Sequence, residues 1–159
     1  MKTCQKNNKG FTLIELLVVI GILAILLSIV LIAINPGRQF AQANNTKRRS
    51  DVTAILNAIS QYGADNHGTL PADIPTGLAA DAELIGSVTL TEANICADVM
   101  PTYISALPAD PLTNNGAAVI DCAAVAGYAT GYSVVKDANN RVTVSAPSAQ
   151  LEEVISVTR

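Results

Sequence analysis

The chain has 159 residues, half of them hydrophobic, which is enough for one domain and a membrane anchor. Its formal net charge at pH 7 is -3, but the charge is unevenly distributed. Residues 1–10 carry three lysines and no acid, whereas residues 11–159 carry seven basic and thirteen acidic side chains. The basic start is typical of the cytoplasmic flank of a membrane segment. The acidic remainder argues against nucleic-acid binding as a bulk property of the chain.

A long apolar stretch follows the basic start. From Phe11 to Ile34 there are 24 residues with a single charge, that of Glu15. A helix of that length spans about 36 Å, enough to cross a bilayer. A cleaved signal peptide is one interpretation, with Ala41–Ala43 as the cleavage site, but its apolar region usually has about 7–15 residues. A plain transmembrane anchor is another, but it leaves the costly charge of Glu15 without a purpose.

The stretch KGFTLIELLVVIGILAILL resembles the processing signal of type IV prepilins and pseudopilins. Its elements are a short basic leader, Gly10, Phe11, and Glu15 four residues after the aromatic residue inside a long apolar helix. The resemblance implies that a prepilin peptidase removes residues 1–10 as a leader, cutting between Gly10 and Phe11, and methylates the new amine of Phe11. It further implies that residues 11–34 first anchor the subunit among membrane lipids and later form the core of a filament.

The same resemblance assigns Glu15 to subunit assembly and axial register. Cleavage would create an α-ammonium on Phe11, with an ordinary pKa of about 7.7–8.0, one helical turn from Glu15. An ammonium in an apolar filament core needs a partner, because a buried charge without one is strongly destabilising. Glu15 of a neighbouring subunit can supply that partner and thereby select one axial register. The two groups of a single subunit can also meet, so the sequence leaves both pairings open.

Pro36 and Gly37 interrupt the apolar helix. Proline cannot donate to the preceding turn and glycine adds flexibility, so we predict a helix break here. It is either a simple kink or a segment that unwinds when a filament is stretched. Residues 35–66 are then predicted to form an amphipathic half-helix, which would give a 56-residue rod if it ran unbroken from Phe11. Its apolar residues recur at helical spacing: Val52, Ile55, Leu56, Ile59 and Tyr62.

A basic run, Lys47, Arg48 and Arg49, lies on this half-helix. We expect these side chains to pair with acids, either on the same helix, as with Asp51, or on neighbouring subunits, and so to serve assembly. A contact with DNA is the weaker interpretation, because three basic residues without interleaved aromatic residues are a poor nucleic-acid signal.

Residues 67–159 are predicted to form a globular head. Prolines interrupt its first part, where we expect a short helix near residues 92–100. Residues 130–147 alternate between apolar and polar side chains on either side of a turn at 137–140, which predicts a β-hairpin. A third strand at 154–158 would complete a small antiparallel sheet. The predicted fold class is therefore α+β, a long N-terminal helix with a C-terminal sheet head, which is the lollipop shape of pilins.

Two of the three cysteines, Cys96 and Cys122, lie in the predicted head, and Cys4 lies in the leader. We favour a disulfide between Cys96 and Cys122 over two buried thiols, because an exported head experiences oxidising conditions and a small core needs support. Closing a loop of about 26 residues contributes roughly 3–4 kcal/mol in the chain-entropy model.

Signals of an enzyme are missing from the sequence. The one histidine, His67, lies at a predicted helix end, and there is no phosphate-binding loop, nucleophile elbow or metal-ligand cluster. Asp137, Asn139 and Asn140 predict a turn rather than a calcium loop, because the glycine and distal glutamate of such a loop are missing. We therefore expect a structural subunit with no catalytic residue, cofactor or metal.

The expected function is that of a pilin-like subunit that polymerises with other pilin subunits into a surface filament for motility, adhesion or DNA uptake. The alternatives are a pseudopilin of type II secretion and a membrane-tethered binding module that does not polymerise. Prepilin peptidase, the pilus assembly platform and minor pilins are the other expected partners. Before assembly the subunit should cross the cytoplasmic membrane once with its head outside the cytoplasm; afterwards it should lie in an extracellular pilus.

Overall fold

The computed structural model describes residues 10–124 and 126–159. The predicted leader lies outside the described residues except for Gly10. The chain divides into two units, Met1–Gln39 and Phe40–Arg159.

The first unit contains helix α1, Leu13–Ile34. At 22 residues it has a length of about 33 Å, close to the thickness of a bilayer core. None of its residues is buried within the structure, so its Leu, Ile and Val side chains are all exposed. The helix is therefore long and apolar enough to cross a membrane.

The predicted helix break lies at Asn35. Helix α1 ends at Ile34, Asn35 adopts a left-handed conformation with φ 47°, and helix α2 begins at Pro36. Proline suits the first position of a helix, where its missing N–H would have no partner. Asn35 also accepts hydrogen bonds from the Arg38 amide, with its carbonyl at 3.1 Å and its side-chain Oδ1 at 3.4 Å. The chain thus forms two helices instead of one 56-residue rod, and Gly37 lies in the first turn of the second.

Helix α2, Pro36–Asp65, presents the predicted apolar stripe to the core of the second unit. Four of the five stripe residues are buried and Tyr62 is half-buried. The helix ends as the glycine and histidine after it predict, because the Gly68 amide donates back to the Gly63 carbonyl at 2.7 Å. The buried stripe also continues towards the N-terminus through two polar residues, Asn45 and Arg48, which the apolar pattern did not include.

The head contains a four-stranded antiparallel sheet in the order β1-β2-β3-β4. The strands are β1 Glu83–Gly86, β2 Ala129–Lys136, β3 Val142–Ser145 and β4 Ser156–Thr158. Strands β2 and β3 form the predicted hairpin, with Val134 opposite Val144, and β4 is the predicted third strand. Strand β1 was not predicted, since its four residues lie in a segment interrupted by glycine and proline.

The hairpin turn is closed by Asp137. Its Oδ1 accepts hydrogen bonds from the amides of Asn139 at 2.8 Å and Arg141 at 2.9 Å. Its Oδ2 accepts a third from Arg141 Nε at 2.7 Å. These bonds, led by the one from the Arg141 amide, lower the pKa of the Asp137 carboxyl. Both oxygens of this carboxylate are therefore used in the turn, as the sequence indicates.

The predicted disulfide between Cys96 and Cys122 is confirmed, with their Cα atoms 5.5 Å apart. It joins the short helix α3, Cys96–Val99, to the segment before β2. The Tyr128 hydroxyl packs beside it, accepting a hydrogen bond from the Cys96 amide at 3.2 Å and donating to Asn94 Oδ1 at 3.0 Å. Burial raises the pKa of Tyr128 to about 12, so this hydroxyl remains a donor throughout the physiological range.

Candidate assembly site

The predicted processing site lies in an exposed, non-helical segment. Gly10 and Phe11 precede the first turn of α1, and both are exposed. A Cβ added at Gly10 would meet no atom of residues 11–124 or 126–159 within 4 Å. Proteases act preferentially on exposed segments outside regular structure, so the geometry is compatible with cleavage between these two residues.

Glu15 is held at the start of α1 by Thr12. Thr12 is the N-cap residue, and its Oγ1 accepts a hydrogen bond from the Glu15 amide at 3.3 Å. In return, Glu15 Oε2 accepts from the Thr12 amide at 2.9 Å and from its hydroxyl at 2.7 Å. This reciprocal arrangement is a capping box, which satisfies N–H groups that a helix start leaves unpaired.

The capping box adds a residue to the site that the sequence analysis did not assign. Thr12 is part of the signal pattern, but the pattern alone assigns it no role. The pattern that could have revealed it is a threonine followed three residues later by glutamate, directly before an apolar run. Glu15 therefore already has a partner within its own helix.

The surroundings of Glu15 are otherwise apolar. A shallow groove on this end of α1 is lined by Phe11, Ile14, Glu15, Val18 and Val19. One carboxylate thus borders a surface that a second apolar helix can cover. A carboxylate has about four lone-pair sites, so Glu15 can keep both Thr12 donors and still accept a hydrogen bond from an ammonium group.

Arg48, the middle residue of the predicted basic run, is buried and pairs with an acid that the sequence did not indicate. Arg48 is fully buried and binds Asp110, also fully buried, through two parallel hydrogen bonds. Arg48 Nε lies 2.5 Å from Asp110 Oδ2, and Nη2 lies 3.0 Å from Oδ1. The expected pairing, with an acid on the same helix or on a neighbouring subunit, is therefore wrong for Arg48, because its charge is satisfied by Asp110 of its own head.

The two neighbours of Arg48 also have partners within the head. Lys47 Nζ donates to Asp51 at 2.6 Å, which confirms the predicted pairing on the same helix, and to the Ala109 carbonyl at 2.8 Å. Arg49 lies 2.5 Å from Glu153. Lys47 and Arg48 thus bind the adjacent residues Ala109 and Asp110, whereas Arg49 binds a second segment of the head at Glu153. A contact with DNA stays a prediction, and within the run only Lys47 and Arg49 are exposed enough to make it.

Arg48 has further partners. Its Nη1 donates to Asn45 Oδ1 at 3.0 Å and lies 3.4 Å from Gln150 Oε1. Asp110 also accepts a hydrogen bond from the Leu112 amide at 2.8 Å. Among residues 10–124 and 126–159, no buried side-chain nitrogen or oxygen lacks a partner. The cluster is therefore fully satisfied, as buried polar groups in stable proteins generally are.

Comparison with known families identifies the N-terminal segment. Residues 5–31 match the model of a family described as a prokaryotic N-terminal methylation motif. Together with the apolar helix, the long second helix and the small antiparallel sheet, this motif defines a membrane-anchored subunit of the type IV pilin-like class.

Two relatives specify the family. The type II secretion system core protein G of Escherichia coli (strain K12) is 35% identical over 111 residues, which cover 69% of this chain and 70% of the relative. The protein of the same name from Aeromonas hydrophila is 38% identical over 63 residues, 40% of this chain and 43% of the relative. The chain belongs to the type II secretion system core protein G family. None of the solved structures compared with the chain matches it significantly.

Proposed function

We propose that this chain is a pseudopilin, a structural subunit that polymerises with other copies of itself in the service of type II secretion. The similarity to core protein G carries the proposal. The methylation motif occupies residues 5–31 only, whereas the match to the Escherichia coli protein extends over 111 residues. At least 84 of the matched residues (111 − 27) therefore lie outside the motif. This favours the secretion alternative over a surface filament for motility, adhesion or DNA uptake.

The proposed assembly begins with processing. Prepilin peptidase cuts the exposed bond between Gly10 and Phe11, and the methylated amine of Phe11 keeps the ability to carry a positive charge. Helix α1 holds the subunit in the membrane, where its exposed apolar side chains contact lipid. As subunits join, these side chains exchange lipid for the helices of neighbouring subunits.

Glu15 sets the register in this scheme. Its carboxylate is exposed at one end of α1 and is oriented by Thr12. The ammonium of an incoming Phe11 finds one acceptor on a surface that is otherwise apolar. Because an apolar helix surface tolerates many sliding positions, a single charge pair selects among them without adding much net stability.

The role proposed is structural and not catalytic. The polar clusters at the start of α1 and around Arg48 support this, since their groups are used to cap a helix and to close the head. The partners proposed are other pseudopilins, prepilin peptidase and the secretion assembly platform.

Deletion of the gene in its own host tests the proposal. We expect proteins normally released into the medium by type II secretion to be retained in the cell, and the wild-type gene on a plasmid to restore their release. The measurement is the distribution of these proteins between cells and medium, with a protein exported by another route as the control. Normal secretion combined with a loss of surface fibres would instead establish the surface-filament function.

Processing is tested separately by intact-mass analysis of the subunit extracted from membranes. We expect a chain that begins at Phe11 and carries one added methyl group. A Gly10→Val variant should keep its leader, because the glycine of the motif is replaced by a branched side chain. A chain that begins at Asn44 would establish a signal peptide, and an uncut wild-type chain would establish a membrane-tethered module that does not polymerise.

A further inference from the structure

Residues 147–154, which we call the latch loop, connect β3 to β4. The two ends of the loop are held together, because the Ala146 amide donates to the Ile155 carbonyl at 2.9 Å. Both of these flanking side chains are buried. A loop whose ends are fixed in this way can open without unfolding the strands it connects.

The latch loop covers the buried Arg48–Asp110 pair. Asn45 binds the backbone of Gln150 twice, because its Nδ2 donates to the Gln150 carbonyl at 2.7 Å and its Oδ1 accepts from the Gln150 amide at 2.9 Å. Asn45 Nδ2 also donates to Glu153 Oε2 at 3.0 Å. Asn45 thus makes three hydrogen bonds to the loop, whereas Asn44 and Arg48 each make one to Gln150 and Arg49 makes one to Glu153.

Apolar packing of the closed loop is limited to Ala149, which is half-buried against the core. Leu151 is 43% exposed and Val154 is 91% exposed. The backbone itself opposes closure, because Leu151 and Glu152 have φ values of 60° and 57°. This left-handed conformation is unfavourable for residues other than glycine. The closed state is therefore a balance between a few polar bonds and local backbone strain.

We propose that residues 147–154 act as a latch that opens and closes over the Arg48–Asp110 pair while α2 and the sheet remain folded, with Asn45 as the positioning residue that holds the latch shut. Opening releases Gln150 and Glu153 from α2 and relieves the strain at two residues. Opening also admits water to Arg48, and the loss of the polar bonds to α2 keeps the open state a minor one. The inference depends only on the contacts inside the head and not on the proposed role in secretion.

Hydrogen exchange of the full chain in detergent micelles, followed by mass spectrometry, tests the latch. In Asn45→Ala the amide of Gln150 loses its acceptor, and we expect exchange in residues 147–154 to become at least about tenfold faster. Exchange in β2 and β3 should not change, because the loop opens locally. Asn57→Ala is the matched control, since Asn57 lies on the same helix but binds Arg159; it should leave the latch loop unchanged.

Two substitutions of Glu152 test the contribution of backbone strain to opening of the latch loop. Glu152 is exposed, and glycine adopts its backbone conformation freely. We expect exchange in the latch loop to be several-fold slower in Glu152→Gly than in Glu152→Ala, which keeps the strain. The proposal is overturned if Asn45→Ala speeds exchange equally in the loop and the sheet, or leaves the loop unchanged. If Asn45→Ala does not fold, the Glu152 pair decides, and equal rates in its two variants overturn the latch.

Discussion

Asp110→Ala is expected to lower the free energy of unfolding of the head by about 3–5 kcal/mol. The substitution leaves the guanidinium of Arg48 buried without its counter-charge, and the Leu112 amide loses its acceptor. Since small domains have a total stability of about 5–15 kcal/mol, this loss is a large fraction of the stability of the head. Urea unfolding of the full chain in detergent, followed by tyrosine fluorescence, measures the change.

Replacing both charged residues distinguishes two contributions to stability. One is the cost of leaving a single charge unpaired in the core, and the other is the net contribution of the ion pair. A double variant, Arg48→Met with Asp110→Leu, fills a similar volume without charge and should lose less stability than Asp110→Ala alone, because buried ion pairs often barely exceed their desolvation cost. Asp121→Ala serves as the control, since this exposed carboxylate only caps a local turn through the Ala123 amide. A loss below about 1 kcal/mol in Asp110→Ala would contradict a buried pair, since that is the range of exposed pairs.

Glu15→Val is expected to produce mature subunit that accumulates in the membrane with few fibres. Removing a charge from an apolar helix should leave membrane insertion unharmed or improve it. Cleavage should persist because Gly10 and Phe11 are unchanged. Incorporation into fibres should fall about tenfold or more, because the Phe11 ammonium of a neighbour loses its partner in the core. The processed fraction, the membrane-bound subunit and the yield of polymerised subunit are the three quantities to measure.

The capping box allows the charge of Glu15 to be tested separately from its role in capping the helix. Glu15→Gln keeps an acceptor for the Thr12 amide, since glutamine also forms capping boxes, but removes the charge. Thr12→Val removes the hydroxyl of the capping box and keeps the charge of Glu15. If charge pairing sets the register, Glu15→Gln should fail like Glu15→Val while Thr12→Val assembles better than either. Glu15→Lys should be worst, since it places two positive charges together. Wild-type fibre yield from Glu15→Gln would leave helix capping as the only role of Glu15.

Local patterns were sufficient to predict much of the fold. The apolar run predicted α1, the 3–4 spacing predicted the buried face of α2, and the alternation around residues 137–140 predicted the hairpin of β2 and β3. Each of these signals comes from residues close in sequence. Strand β1 has four residues, Glu83–Gly86, which is too short to show an alternation, and it exists because β2 pairs with it from more than 40 positions away.

The buried cluster of the head could not be predicted for a related reason. Spacing along α2 places Asn45 and Arg48 on the same face as Val52, but their residue types predict exposure. Arg48 can be buried because it binds two residues that are distant in sequence. Asp110 is 62 positions from Arg48, and Gln150 is more than 100 positions from it. No local pattern could indicate that these residues meet. Residue type alone therefore favours partners for the basic run on the same helix or on neighbouring subunits.

The N-terminal motif predicted the class of subunit, but the similarity to core protein G supports the secretion alternative better than the surface filament that was expected first. The leader, Gly10, Phe11 and Glu15 are features that the pilin-like class shares, so they do not distinguish a surface pilus from a secretion pseudopilin. The distinction comes from the match to core protein G, which extends well beyond the motif.

The enclosed pair of Arg48 and Asp110 also limits how this protein can evolve. A single change at either position leaves a stranded charge, so the intermediate would lose about a third or more of the stability of a typical domain. Selection therefore removes chains in which only one of the two charged residues has been replaced. This holds even though the charged pair and an apolar pair can be equally stable. The two positions should accordingly change together across descendants of this gene, and lineages that retain one charge should retain the other.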